Sequence, residues 1–325
     1  FIHNMHALKK SGITAGWAKR AAHLLHHALN RNSRSGSRRN IQAHYDLGND
    51  FYRLFLDPET MMYSAAMFQT AGEPLESAQR RKIRRLAELA AIRPEHHVLE
   101  IGCGWGGFAV ETAKRTGCRV TGITLSDEQF RYAQERVKAE GLAGQVEIQL
   151  CDYRDMQGSY DRIVSIEMLE AVGHRYYGTF FSHCDRLLKP GGRISLQVIT
   201  IPDQRYDSYR RNPDWIQKHI FPGGMLPSLT ALSNAMTASS SLTVEHLDNI
   251  GIDYAETLRR WRQAFEANRR ALLELGYDET FQRKWIYYLC YCEAGFQTRF
   301  INDLHLVLTR AADYTHADGD SIRQG

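Results

Sequence analysis

The chain has 325 residues, 43% of them apolar and 24% charged, with a formal net charge of +4, an ordinary balance for a soluble globular protein of one large domain or two small ones. No apolar run approaches the ~20 residues that span a bilayer. The six cysteines, at 103, 118, 151, 184, 290 and 292, form no CxxC pair, which argues against a disulfide scaffold or a structural zinc site and suits a reducing cytoplasm.

Eight of the 41 basic residues and none of the 37 acidic ones fall in the first 45 positions. The basic character therefore belongs to an N-terminal arm, residues 1–40, and the rest of the chain is net acidic. In that arm "GWAKRAAHLLHHAL" sets Trp17, Ala21, Leu24, Leu25 and Ala28 along one side of a helix, ahead of the linker "RNSRSGSRR". Two readings stand: a solvated tail, or a basic amphipathic helix in peripheral contact with an anionic membrane surface. Nucleic acid is disfavoured, because no aromatics interleave with the basic residues and no nucleic-acid module follows. The 14 histidines, His26 and His27 among them, show no metal-ligand spacing, and no metal is expected.

Beyond the arm, an aromatic-rich, irregular stretch runs to about Gly72, and "LESAQRRKIRRLAELAAI" then reads as a helix closed by Arg93-Pro94. The text now alternates. Strands are expected at "HVLEIG", "RVTGIT", "QVEIQLCD", "YDRIVSIE" and "GGRISLQVIT", with helices at "GFAVETAKRT", "DEQFRYAQERVKAEG" and "RYYGTFFSHCDRLL" between them. Such alternation predicts an α/β fold with a mostly parallel sheet and helices on both faces. Prolines and "FPGGMLP" interrupt it at 202–242, which reads as an insertion over the C-terminal edge of the sheet. The strand "TVEHLDNIG", two long helices and a last strand "DLHLVLTR" follow, and 311–325 reads as a frayed tail.

Three features carry the chemistry. In "VLEIGCGWGG" a strand runs into Gly102, Gly104, Gly106 and Gly107 and then a helix, so that backbone can approach a ligand at a helix N-terminus. The spacing is G-x-G-x-G, and the next strand ends in "GITLS" without the acid that would hold a nicotinamide dinucleotide ribose. "CDYRD" offers Asp152 to an adenine edge. Together with "LLKPGG", these resemble an S-adenosylmethionine pocket rather than a nicotinamide site. The second feature is a pair of carboxylates, Glu167 and Glu170, where the strand "YDRIVSI" ends. An unpaired buried charge is costly, and strand ends in parallel sheets are where ligands sit. The third is "YYLCYCEAGF". Trp285, just before it, and its Tyr287, Tyr288, Tyr291 and Phe296 suit either a helix core or, with Phe221 and Met225, an acyl channel.

From about residue 40 to 310, "AHYDLGNDFY", "YSAAMF", "LEIGCGWGG", "GITLSDEQ", "DYRD", "DRIVSIEMLEAVG", "WIQKHIFPGGMLPS" and "NIGIDYAETLRRW" occur in an order that resembles the cyclopropane-fatty-acyl-phospholipid synthase family. The resemblance implies a class I methyltransferase domain over 41–310, Rossmann-like, with a mostly parallel seven-stranded sheet, a helical N-terminal segment and the insertion over the active site. It implies that the methyl group of S-adenosylmethionine is added across a cis double bond of an unsaturated phospholipid acyl chain. The resulting cation then loses a proton to a bound bicarbonate. Cofactor contacts fall on Tyr63 and Ser64; on Gly102, Gly104, Trp105 and Gly106; on Thr124, Leu125, Ser126 and Gln129; and on Asp152, Tyr153 and Arg154. The bicarbonate would be held by Glu170, Tyr254, Ile199 and the backbone at Ala65, where many members have cysteine, with Gln197 where many have histidine. Glutamine can hydrogen-bond the ion but carries no charge, so the product is a cyclopropane or a methyl-branched or methylene chain.

Glu167 is expected to be a helix N-terminal charge or a local hydrogen-bond partner, since other members carry an uncharged residue there. Cys292 matches a family cysteine assigned to the active site, yet no acyl or phosphoryl centre calls for a thiolate and no basic partner is evident. The implied setting is a cytoplasmic protein attached peripherally to the inner face of the membrane; a homo-oligomer is compatible with it. The rival readings are a small-molecule N-methyltransferase of the coclaurine type and a catalytically silent S-adenosylmethionine- or lipid-binding protein.

Overall fold

Strand β1 (His97–Ile101) and strand β4 (Tyr160–Ile166) lie side by side at the middle of a seven-stranded sheet. This computed structural model of the protein describes residues 47–311 and Gly36. The basic arm's amphipathic stretch and the tail after 311 lie outside the described residues. The strand order is β3-β2-β1-β4-β5-β7-β6, with β2 at Arg119–Thr124, β3 at Val146–Leu150, β5 at Leu188–Thr200, β6 at Leu242–Asn249 and β7 at Asn302–Arg310. The first five strands are parallel, whereas β7 runs antiparallel to both β5 and β6. The order reverses between β1 and β4, so their C-terminal ends open a crevice in which α/β sheets bind ligands.

Period-two alternation builds the two faces. Leu99, Ile101, Ile123, Ile163, Ile194 and Leu196 pack one way, onto helix α5 (Tyr177–Leu187) and helix α8 (Leu229–Ser239). Val98, Val120, Val164 and Ile166 pack the other way, onto α2 (Leu75–Leu89), α3 (Gly107–Thr116) and α4 (Asp127–Ala139). A third, aromatic core lies over the C-terminal edge. It joins the short helix α1 (Asn49–Arg53) to α9 (Gly251–Ala267) and α11 (Glu279–Gln297) through Phe51, Tyr52, Phe55, Trp261, Phe265 and Trp285.

Two expectations differ in detail. Of the stretch 202–242, read as an insertion over the sheet's edge, α6 (Asp203–Tyr209) and α7 (Trp215–His219) line the crevice, but α8 delivers Leu232 and Met236 to the sheet core. Its Ser228 cap, accepting from the Ala231 amide, starts a helix that the flanking prolines obscured. Between the two long helices a third, α10 (Arg269–Glu274), turns the chain. No described helix is long and apolar enough to cross a membrane.

Candidate active site

Two cavities meet over the crevice. The first, of about 150 Å³, is lined by Tyr63, Ser64, Glu100, Gly102, Cys103, Gly104, Trp105, Thr124, Leu125, Gln129 and Tyr153 among others. Gly102, Gly104 and Gly106 adopt φ of 85°, 54° and 78°, a left-handed region in which a side chain is strained, so the loop can wrap closely under a ligand ahead of α3. Glu100, fully buried at the end of β1, has an Oε2 with no hydrogen-bond partner, and burial pushes its carboxyl up to about 8. A buried carboxyl with one orphaned oxygen beside a glycine cradle fits the cationic methionine end of S-adenosylmethionine.

Nine of the thirteen residues expected to contact the cofactor line this cavity. Four do not. Gly106 packs toward Ala133, and Ser126 caps α4 by accepting from the Gln129 amide. Asp152 is taken up by Arg154, whose Nε donates to its Oδ1 at 2.8 Å. That guanidinium occupies the carboxylate expected to face adenine, and the pair flanks the cavity without lining it.

The second cavity, of about 210 Å³, is mostly apolar: Ile201, Ile216, Phe221, Met225, Leu258, Tyr288 and Phe296 contribute walls. Tyr288 and Phe296 thus serve both the aromatic core and this wall, whereas Tyr287 is exposed. The residues shared by the two cavities are Tyr63, Glu167 and Ala171. Cys292 lines the second cavity, and burial pushes its thiol well up, which disfavours the thiolate that a nucleophile needs. Cys292→Ala should therefore keep turnover within about tenfold of the parent, well short of the ~100-fold or greater loss from removing a group that moves a proton; steady-state kinetics of the variant beside the parent checks this.

The carboxylates are arranged differently from expectation. Tyr254 Oη donates to Oε2 of Glu167 at 2.6 Å, and not to Glu170. Oε1 of Glu167 accepts from the Ala65 amide and from Gln197 Nε2, each at 2.8 Å. Glu167 is thus no helix cap, since its partners come from segments 30 to 102 residues away in sequence. Its own backbone has φ of 49°, and its amide donates to the Gln197 carbonyl. Glu170, one short turn later, accepts from the Ile199 amide through Oε1. Its Oε2 is buried without a partner, its carboxyl is pushed up to about 8 by burial and by Glu167, and it lines the apolar cavity alone of the two cavities.

Behind Glu167 stands a network that the sequence reading missed. Gln197 Nε2 also donates to Asp303 Oδ2 at 2.8 Å, and His305 Nε2 lies 3.3 Å from Gln197 Oε1. Burial pushes His305 down to about 3, so its ring is neutral; with Nε2–H donating, it fixes which end of the glutamine amide faces the carboxylates. Lys82, fully buried on α2, donates to Ser64 Oγ at 2.6 Å. Burial lowers its ammonium to about 8, against the opposing pull of Glu167, Asp303, Asp57 and Glu100.

A family model for mycolic acid cyclopropane synthetase matches residues 32–306. The chain belongs to that family. It is 46% identical over 285 residues to tuberculostearic acid methyltransferase UfaA1 of Mycobacterium tuberculosis, covering 86% of this chain and 66% of that one. It is 41% identical over 273 residues to cyclopropane-fatty-acyl-phospholipid synthase of Escherichia coli strain K12, covering 84% and 68%. The chain therefore spans about two thirds of the length of these relatives. Among solved structures, mycolic acid cyclopropane synthase CmaA1 complexed with SAH and CTAB aligns with a TM-score of 0.78 at 32% identity, over 83% of this chain and 97% of that one. Coclaurine N-methyltransferase aligns with a TM-score of 0.71 over 95% and 93%, but at 20% identity it shares the fold alone. The family is one of S-adenosylmethionine-dependent methyltransferases, and the sheet is the mostly parallel one that the alternating pattern predicted and the Rossmann-like, seven-stranded one that the resemblance implied.

Proposed function

We propose that this chain methylates a cis double bond of an unsaturated phospholipid acyl chain, giving a cyclopropane or a methyl-branched or methylene chain. The observation that carries the reading is the junction of an apolar cavity with the glycine-lined one at Tyr63, Glu167 and Ala171. An alkene has no polar handle, so it is presented by shape and apolar contact, which the Ile, Met, Phe and Leu walls supply. S-adenosylmethionine, when bound, supplies an electrophilic methyl group. The chain's part is to exclude water from the junction, hold the double bond there and shelter the positive charge that develops on it. The facing carboxylates and the Tyr63, Tyr254 and Tyr288 rings suit that charge.

Lipid mass spectrometry of cells expressing the chain, fed methyl-labelled methionine, tests this. The expected result is a gain of one labelled carbon on unsaturated phospholipid chains, with fragmentation locating it as ring, branch or methylene. Label on a soluble amine in place of lipid would favour the coclaurine-type reading.

The basic arm supports a peripheral membrane site for the same reaction. Deleting residues 1–38 should weaken binding to anionic vesicles, most of all at low salt, where the attraction is least screened, while leaving binding of S-adenosylhomocysteine intact. Co-sedimentation that is equal with and without the arm would remove it from the membrane contact.

A further inference from the structure

Three donors converge on one carboxylate: the Ala65 amide, Gln197 Nε2 and Tyr254 Oη, all on Glu167 at 2.6 to 2.8 Å. These are three of the positions at which the family resemblance places the groups that hold a bicarbonate. The fourth, the Ile199 amide, donates to Glu170. The residues present therefore do not fit the ion: of the five positions, the four that offer an N–H or a hydroxyl already donate to a glutamate, only the raised carboxyl of Glu170 has an oxygen without a partner, and an added anion would have to sit against the Glu167 carboxylate that fills the donors.

We infer that the side chain of Glu167 takes the place of the bicarbonate and is the built-in proton acceptor of the reaction. The inference rests on the methyl-transfer reading above. Glu167 lies where the two cavities meet, which puts it beside the place where the added carbon must cross. In the step it serves, a C–H bond of that carbon breaks and its electron pair forms the second ring bond, quenching the cation. The proton passes to Oε2 of Glu167 and leaves to solvent after the product has gone. Oε1 accepts from two N–H donors and Oε2 from the Tyr254 hydroxyl, and the Asp303 carboxyl, itself raised by burial, also lies within hydrogen-bonding reach of Glu167.

Backbone geometry points the same way. Glu167 holds φ of 49°, a conformation that is strained for a side-chain-bearing residue and that persists where the surroundings demand it. Gln197 is also accounted for. A histidine at this position would be an asset toward a mobile anion, whereas a neutral amide suffices to pin a tethered one. Its second N–H ties it to Asp303, and His305 sets its orientation.

The test compares the full chain with Glu167→Gly, on dioleoyl phospholipid vesicles, in buffer stripped of carbon dioxide and in the same buffer with sodium bicarbonate. Glycine suits the left-handed backbone and vacates the donors. The wild type should be indifferent to bicarbonate. The variant should lose at least about a hundredfold in kcat without it, the scale of a missing general base, and should recover a large part of that loss on adding bicarbonate but not chloride. Calorimetry gives a readout independent of turnover: bicarbonate should bind Glu167→Gly and not the wild type. S-adenosylhomocysteine affinity checks that the variant is folded, and Glu167→Gln, which fills the pocket without a base, should be inactive and not rescued. Wild-type activity that collapses in stripped buffer, or bicarbonate binding to the wild type, would overturn the inference. A wild type that labels no lipid but binds no bicarbonate would instead refute the methyl-transfer reading and leave the filled anion site standing.

Discussion

Lys82→Met should destabilise the protein near neutral pH by at most about 3–5 kcal/mol, the scale on which one partner's removal leaves buried charge uncompensated, reduced by the cost that the wild type already carries in burying an ammonium lowered to about 8. Methionine fills most of the space of the lysine stem on the buried face of α2, which also carries Ile83 and Leu86, so the loss is mainly electrostatic. The ammonium donates to Ser64 and faces Glu167, Asp303, Asp57 and Glu100. Each of those carboxyls is raised by burial, and each is held down in part by Lys82.

The sign of the pH dependence follows. A carboxyl raised on folding favours the native state most fully below its unfolded value and less as pH rises toward its folded one. Glu100 gives the window, from its ordinary 4.5 to about 8. Without Lys82 the folded values rise further, and unfolding is favoured more wherever the unfolded carboxylates are ionised. The gap between Lys82→Met and wild type should therefore be small near pH 4.5 and widen toward neutrality. It should stop widening near pH 8, where the wild-type ammonium itself titrates. Urea unfolding across that range measures it. A gap that is constant with pH would mean that the carboxylates do not depend on this lysine.

Much of the fold was legible because it obeys local rules. The α3 helix and the β2 strand begin and end where the glycines and the alternation place them. The parallel order followed from the strand–helix rhythm. The glycine cradle was legible for the same reason, since positive φ selects glycine wherever the backbone is read. The anion site was not. Lys82 stands in "QRRKIRRL" among five basic residues and reads as a solvated face, although it shares a helical stripe with Ala78, Gln79, Ile83 and Leu86, all buried. That phase was the available signal. Asp303 and His305 open a strand whose apolar residues suggested only packing. Glu167 and Glu170 were visible as a pair, but three residues of spacing do not say which one turns inward. That depends on the left-handed bend at Glu167 and on an amide and a hydroxyl 102 and 87 residues away in sequence, and only the folded chain brings them together.

Gly107→Ala should weaken binding of S-adenosylhomocysteine by at least about tenfold, which corresponds to ~1.4 kcal/mol out of the 1–3 kcal/mol typical of an overpacked contact. Gly107 is the first residue of α3, and a Cβ there would lie 2.4 Å from the Thr60 carbonyl oxygen and 2.8 Å from Met62 Sδ. The carbonyl cannot give way easily. Asp57 accepts from the Thr60 amide at 2.7 Å and from its hydroxyl at 2.6 Å, and Arg136 donates to the Thr60 carbonyl itself at 2.9 Å. A displaced Thr60 carries the whole strap that follows. Tyr63 would leave the junction of the cavities, Ser64 would leave Lys82, and the Ala65 amide would leave Glu167. The effect should thus reach both cofactor affinity and the acceptor site, while the glycine loop keeps its own φ values. Gly144→Ala, with nothing within 4 Å of its Cβ and no left-handed backbone, should bind as the parent does. If Gly107→Ala also binds as the parent does, the strap is looser than its hydrogen bonds imply, and cofactor affinity resides in the loop alone.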